Sequence, residues 1–433
     1  MRLRILLIFI AAFPFQNAFC QKSSYFKRVF VDAEYYLLYE EYRDALPLYQ
    51  EIYKAYPSNC NLAYRIGLCY LNIPNEKKKS LPYFEKAITS ITPSYQEGYF
   101  TETKAPREAF LRYGQALRID SQFDKAMEAF KSYQNLLTPK DLLEQKIIAR
   151  EIESIAYARK QLANPASHTI KPVNRNVNTR FPEVNPLSDT TGNLLIYTSL
   201  QQFYNAILVS QRKEDLWTNP INLNAQLFAD GAIKTVGISP NGNMLILARN
   251  DNDTYNLYFS RYDRTKNTWS PIEKFPKEIN SSGWEISGSL SSRGDTLYFS
   301  SNRAGGFGGF DIYMSVKTIT GWSNPVNLGN KVNTPFDEIS PFVTENGKQL
   351  FFSSNGHRSM GGFDLYLSGY ENKTWGLPHN LGYPINTLDD DTFLFPLNNG
   401  KRGFISRASE ESSGEDDIYE VTLDLSTLLN GDK

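Results

Sequence analysis

Cysteine, histidine and long apolar runs are the scarce features of this sequence, and each scarcity removes a class of function. Cys60 and Cys69 are the only cysteines past residue 20. They stand nine apart on one predicted helix, about 13 Å of rise, too far to pair in place, so they read as buried thiols. The three histidines, His168, His357 and His379, have no metal-ligand spacing, so neither a metal nor a cofactor is expected. No G-x-S-x-G elbow occurs, and the chain reads as a protein that is not an enzyme. With a net charge of −1 and no basic block, nucleic acid is not an expected partner. Past the first twenty residues no apolar stretch is long enough to span a bilayer.

What remains is a chain of 433 residues, long enough for two domains, with 14% aromatic side chains. Residues 1–20 have the layout of a signal peptide: Arg2 and Arg4, an apolar run from Ile5 to about Phe15, then Ala18-Phe19-Cys20. Ala18 and Cys20 fit the −3 and −1 positions of a cut before Gln21. In the alternative, Cys20 is the lipidated first residue of a lipoprotein and supplies a lipid anchor, although Phe19 is bulky for that role.

Residues 25–163 carry apolar positions at the helical period, with a longer repeat superposed. Ala33, Tyr36, Ala45, Tyr49 and Pro57 follow the spacing of tetratricopeptide (TPR) hairpins. Gly67, Tyr70, Ser80, Phe84 and Ala87 repeat it with one residue inserted, and Gly114, Leu117, Ala126 and Phe130 repeat it again. Small residues recur where two helices must cross closely. A further helix, about Asp141 to Leu162, is expected to cap the stack.

After Pro165 the pattern turns to short alternating strands broken by Gly, Asn and Pro. Turn glycines recur at Gly192, Gly242, Gly294, Gly347 and Gly400. Polar residues open a later strand at Asn205, Asn256, Asp311, Asp364 and Asp417, and Trp217, Trp269, Trp322 and Trp375 mark an outer strand. Four-stranded units of about 50 residues are propeller blades, since one such sheet cannot bury both faces alone. The fold class is therefore α + β in two domains: a TPR-like α-solenoid, then a β-propeller over 166–426 with five blades (six in the alternative), and a tail at 427–433. Lys171-Pro172-Val173 to Asn178-Thr179 mirrors Asn324-Pro325-Val326 to Asn333-Thr334, so the first strand should complete the last blade and close the ring.

Each blade begins with an acid: Glu183, Asp230, Glu285, Glu338 and Asp391. Symmetry would gather them at one channel mouth. There they would bind a cation, basic peptide or glycan, or be satisfied by backbone N–H groups so that each pins its own loop. The glycine-rich segments Ser301–Asp311 and Ser354–Asp364 resemble phosphate loops but lead into strands, so they read as hairpins stabilised by the closing Asp. In the helical domain, the register places Tyr64, Leu68, Leu71, Leu111, Gln115 and Arg118 on a concave face suited to a peptide.

The run Leu297-Tyr298-Phe299-Ser300-Ser301-Asn302-Arg303 through Gly308-Gly309-Phe310-Asp311-Ile312-Tyr313 resembles the WD40-like (PD40) repeats of TolB-type propellers. Its order after a signal peptide and helical repeats, with Ala105-Pro106-Arg107-Glu108-Ala109 leading to Gly114, resembles the OmpA-family, PorE-like envelope proteins of the type IX secretion system. That resemblance implies a periplasmic or outer-membrane-associated scaffold whose partners are other envelope proteins. Members of the family continue into an OmpA-like domain, whereas this sequence ends at Lys433, so peptidoglycan binding is not carried over. The leading expectation is a scaffold for a secretion or envelope-assembly complex. A ligand-sensing propeller is the alternative.

Overall fold

A computed structural model describes residues 13–409 and 411–426, with residues 13–23 described by backbone alone. Most of the expected signal peptide, the Cys20 side chain and the tail 427–433 thus lie outside the described residues. The chain divides into two compact units, residues 1–148 and 149–433.

The first unit is built of helical hairpins: α1 (Phe13–Leu38) with α2 (Tyr42–Ala55), α3 (Cys60–Asn72) with α4 (Leu81–Ala87), and α5 (Ala109–Ile119) with α6 (Phe123–Gln134). Glycine is required where the hairpin helices cross. A Cβ on Gly67 would meet the Phe84 ring at 2.8 Å, and one on Gly114 would meet the Phe130 ring at 2.3 Å. Both phenylalanines are fully buried, so the missing methyl group is what lets each ring lie against the facing backbone. Cys60 and Cys69 are buried free thiols on α3, and burial pushes the Cys69 thiol up to about 12.

Helix α7 (Leu142–Ala163) follows, and the division between the units falls inside it, after Ile148. The part of the helix from Ala149 onward belongs to the second unit. Charged and aromatic contacts hold this part of the helix to the propeller. Arg150 lies over the Phe336 ring at 4.7 Å and donates to the Asn355 carbonyl. Arg358 lies over Tyr157 at 4.9 Å and pairs with Glu153 at 3.4 Å.

The second unit is a five-bladed propeller. Its inner strands are Glu183–Leu187, Ile233–Ile238, Glu285–Leu290, Glu338–Val343 and Leu394–Leu397, each followed by antiparallel neighbours in sequence order. The five turn glycines all have positive φ, between +68° and +82°, which a residue with a Cβ rarely adopts. Closure is made by the strand Thr169–Pro172, which pairs with Asp416–Thr422 and completes the fifth sheet. Side-chain amides repeat the same stitch in other blades. Asn333 accepts from the Ile312 N–H at 2.8 Å and donates to its carbonyl at 3.0 Å, and Asn386 does the same to Leu365. Asn178 makes this pair with Ile418, 240 residues away, so the ring is tied shut by the device that also holds blades 2 to 4.

Candidate functional site

The acidic residues that open the blades do not form one ring of free carboxylates. Glu183, Glu285, Glu338 and Asp391 are almost wholly buried, and each is wrapped by the hydroxyl residue four positions before it. Glu338 accepts from the Thr334 N–H and Thr334 Oγ1, both at 2.7 Å, and from Ser354 Oγ at 2.7 Å. Glu183 has the same bonds from Thr179, and Asp391 from Thr387. Glu285 is held by Ser281 and Ser301 and also faces Arg303 at 3.2 Å. Burial pushes the Glu183 and Glu338 carboxyls up to about 7, against the hydrogen bonds that favour ionisation, and raises the Asp391 carboxyl well above its ordinary range.

Blade 2 departs from this pattern. Its Ile233 pairs across the sheet with Arg249, where other blades pair Glu285 with Ser301 and Glu338 with Ser354. Asp230 lies three residues ahead of the strand, exposed, and takes a 2.6 Å bond from Arg249. Its loop carries Ala225 where the others have Thr or Ser, so nothing there wraps a buried acid. At the far end of the inner strands, Phe342 packs edge-on against Phe393 and Phe395 at 5.2 and 5.4 Å and leaves about 40 Å³ of open space.

The glycine-rich hairpins cradle an anion that belongs to the chain itself. Asp311 accepts from the N–H groups of Phe307 and Gly308, and Asp364 from that of Met360. Two histidines are likewise engaged by backbone. His168 bridges the Leu381 carbonyl and the Asp424 N–H, and His357 meets the Val332 carbonyl. Burial lowers the basicity of both rings. Among the described residues no group of three or more His, Cys, Asp or Glu is placed to hold a metal.

The open site is in the helical unit, a cavity of about 780 Å³. Glu34 and Leu37 come from α1, Tyr64, Arg65 and Leu68 from α3, and Arg112 from α5. Tyr95 and Glu97 reach it from the connection between α4 and α5. Of the groove residues expected from the repeat, Tyr64 and Leu68 line this cavity. Leu71, Leu111 and Arg118 are buried elsewhere, and Gln115 accepts from Arg112 at 3.0 Å. Pattern reading missed Arg65, the residue after Tyr64, because a charge on that face has no periodic signal. It also missed Tyr95 and Glu97, since an insertion between hairpins has no place in the repeat.

Arg65 is only 1% exposed. Its guanidinium lies 5.6 Å from the Phe30 ring and 6.0 Å from Tyr49, and Nη2 is 2.9 Å from Glu34 Oε2. Neither Nε nor Nη2 has a properly aligned hydrogen-bond acceptor among the described residues. Glu34 also takes a 2.5 Å bond from the Tyr49 hydroxyl, yet burial still raises its carboxyl above the ordinary range. A buried guanidinium with N–H groups to spare, at the wall of a cavity, is a place for an acceptor from outside.

Comparison with known proteins adds fold likeness and nothing finer. No protein-family model matches the chain, and no curated protein matches it. Among solved structures, TolB from Acinetobacter baumannii is 15% identical with a TM-score of 0.36, covering 57% of this chain and 56% of its own. The putative TolB from Agrobacterium tumefaciens is 16% identical, TM-score 0.35, covering 57% and 78%. The catalytic domain of the Coprinopsis cinerea alpha-L-arabinofuranosidase is 10% identical, TM-score 0.40, covering 60% and 98%. The match therefore spans little more than half the length of the Acinetobacter protein. The expectation that this chain is not an enzyme is corrected by the same set, which also holds a gluconolactonase and an aldose sugar dehydrogenase. Missing motifs do not by themselves exclude catalysis. The chain is a helical-hairpin unit followed by a five-bladed propeller.

Proposed function

We propose that this protein is an exported scaffold of the bacterial envelope, working in the periplasm, whose helical unit holds a segment of a partner protein. The observation that carries the reading is the cavity beside Arg65, with an apolar wall of Leu37, Leu68 and Pro106 and a buried cation short of acceptors. A peptide main chain supplies carbonyls to such a cation and apolar side chains to such a wall. The lining carries Glu34, Glu40, Glu97 and Glu108 against Arg65 and Arg112, so the groove favours a segment that also bears basic residues. The TPR-like spacing and the resemblance to PorE-like proteins support the same assignment and point to a secretion or envelope-assembly complex. Among the described residues no helix is long and apolar enough to cross a membrane.

The test is crosslinking and affinity purification of the full-length protein from its native envelope, beside a Tyr64→Ala/Leu68→Glu variant. A defined set of envelope proteins recovered with the parent and lost with the variant supports the reading. The same set recovered with both moves the docking surface away from this groove, and recovery of the protein alone overturns the scaffold.

A further inference from the structure

The seams between propeller blades are filled by a repeated rule, and one seam breaks it. In each of blades 1 to 4 a serine in the third strand bonds to the carbonyl after the outer Trp (Ser210 to Thr218, Ser260 to Ser270, Ser315 to Ser323, Ser368 to Gly376). This fixes the register, so Val209, Phe259, Met314 and Leu367 are equivalent positions. Their cross-strand partners Ile196, Ile246, Tyr298 and Phe351 are equivalent too, with Phe404 in blade 5. Leu223 and Phe275 match as well, each N–H bonding to the corresponding third-strand carbonyl.

The outer Trp of one blade meets an aromatic ring of the preceding blade at three seams. Trp217 meets Phe404 at 5.9 Å, Trp322 meets Phe275 at 5.9 Å, and Trp375 meets Tyr298 at 6.2 Å. Between blades 1 and 2, the apolar side chains that blade 1 sets around the pocket with Trp269 are aliphatic: Leu194, Ile196, Val209, Ile221 and Leu223. The volume that rings occupy elsewhere is left open here as a pocket of about 400 Å³. That is within the range of small-ligand sites, roughly 300–1,000 Å³.

The rim of this pocket is polar and balanced in charge. Asp189 and Arg212 are its two charged residues; Arg212 pairs at 2.6 Å with Glu420, which Arg402 also holds, so two arginines and two carboxylates sum to zero around the pocket. The Arg212 Nε–H is buried without an acceptor among the described residues. Gln226 gives its side-chain oxygen to the Trp269 N–H at 3.0 Å, and Asn267 gives its own to the Tyr262 hydroxyl, so both are left with an NH₂ to offer. Asp189 spends one oxygen on Thr191 and keeps the other. Asn193 and Gln211 complete a rim that gives and accepts hydrogen bonds but has no charge to spare.

We propose that this seam pocket binds a neutral, hydroxyl-rich ring, that is, a sugar unit. Each sugar hydroxyl both donates and accepts, which matches an amide rim, and the apolar C–H face of the ring packs against aromatic and aliphatic walls as Trp269, Ile196 and Val209 supply here. A charged ligand would leave an uncompensated charge in the pocket.

The test is titration of the full chain with N-acetylglucosamine and cellobiose, followed by tryptophan fluorescence and by ligand-observed NMR, with glucosamine and glucuronate as charged counterparts. The expected result is saturable binding of a neutral sugar at least tenfold tighter than of either charged one. Val209→Phe places in this seam the residue that fills the next one. It should weaken binding at least tenfold while the melting temperature holds or rises. Gln211→Leu keeps the wall and removes part of the rim, and should weaken binding without altering the fold. Absence of saturable binding by either neutral sugar overturns the proposal. So does equal binding of the charged sugars, or unchanged affinity in both variants.

Discussion

Buried charge is handled in opposite ways in the two units. In the propeller, Glu338 spends its acceptor capacity on a hydroxyl and an N–H from its own loop and on a serine of the neighbouring strand. In the helical unit, Arg65 is as deeply buried, but its Nε has no acceptor among the described residues. The first arrangement is closed and serves the fold; the second is open and is what a binding site needs. The contrast predicts that removing the propeller acids damages stability, whereas removing the Arg65–Glu34 pair damages binding.

The largest effect should come from Glu338→Ala. Three donors lose their acceptor in a site that water cannot reach easily, and each orphaned group costs about 1–3 kcal/mol. A destabilisation on the order of 3 kcal/mol or more is expected in denaturant unfolding, against a small change for the exposed Asp230→Ala. Equal costs for the two would abolish the distinction between the wrapped acids and Asp230.

The same acids give the propeller a pH signature. The Glu338 carboxyl is raised from its ordinary 4.5 to about 7 in the folded protein, so the native state holds the proton more tightly than the unfolded chain. Its contribution to stability is therefore fully present below about 4.5 and lost as pH rises through about 7. Glu183 acts in the same direction. Stability measured from pH 4.5 to 7.5 should carry a downward component with rising pH, and Glu338→Gln should reduce that slope. An unchanged slope in the variant would show that Glu338 is not the group responsible.

A smaller effect is expected at the helix crossing. Gly114→Ala places a methyl group where the Phe130 ring already lies, and overpacking of this kind costs about 1–3 kcal/mol. Thermal unfolding should show it as a lower melting temperature. A Gly114→Ala variant as stable as the parent would mean that α5 and α6 shift apart freely.

These expectations also mark how much was legible in the sequence. Repetition made the propeller readable: five turn glycines, the strand-opening Asn and Asp residues, and the closing first strand all recur in register. What repeats is mostly architecture, so the pattern over-read Asp230, an acid at nearly the right spacing whose structural place is taken by Ile233. The helical groove was half legible. Tyr64 and Leu68 followed from the hairpin register, but Glu34, Arg65 and Glu97 meet there only because three separate segments converge. The seam pocket left no signal of its own, because Val209 and Leu223 are ordinary core residues until compared with Phe259 and Phe275.

The smallest expected change in stability is the most informative. Replacing Arg65 and Glu34 together by Met removes a buried ion pair, and apolar replacement of such pairs is often neutral or stabilising because two desolvated charges disappear together. Arg65→Met alone strands Glu34 beside Tyr49 in a buried site, and Glu34→Met alone strands a guanidinium already short of acceptors. Each single variant should therefore unfold more easily than the double, with the difference read as a coupling in a double-mutant cycle. Partner capture should fail in the double variant despite its recovered stability, because the donors that face the groove are gone. Recovered stability with partner capture intact would make Arg65 a structural residue, and the contrast between the closed acids and the open guanidinium would then lose its functional meaning.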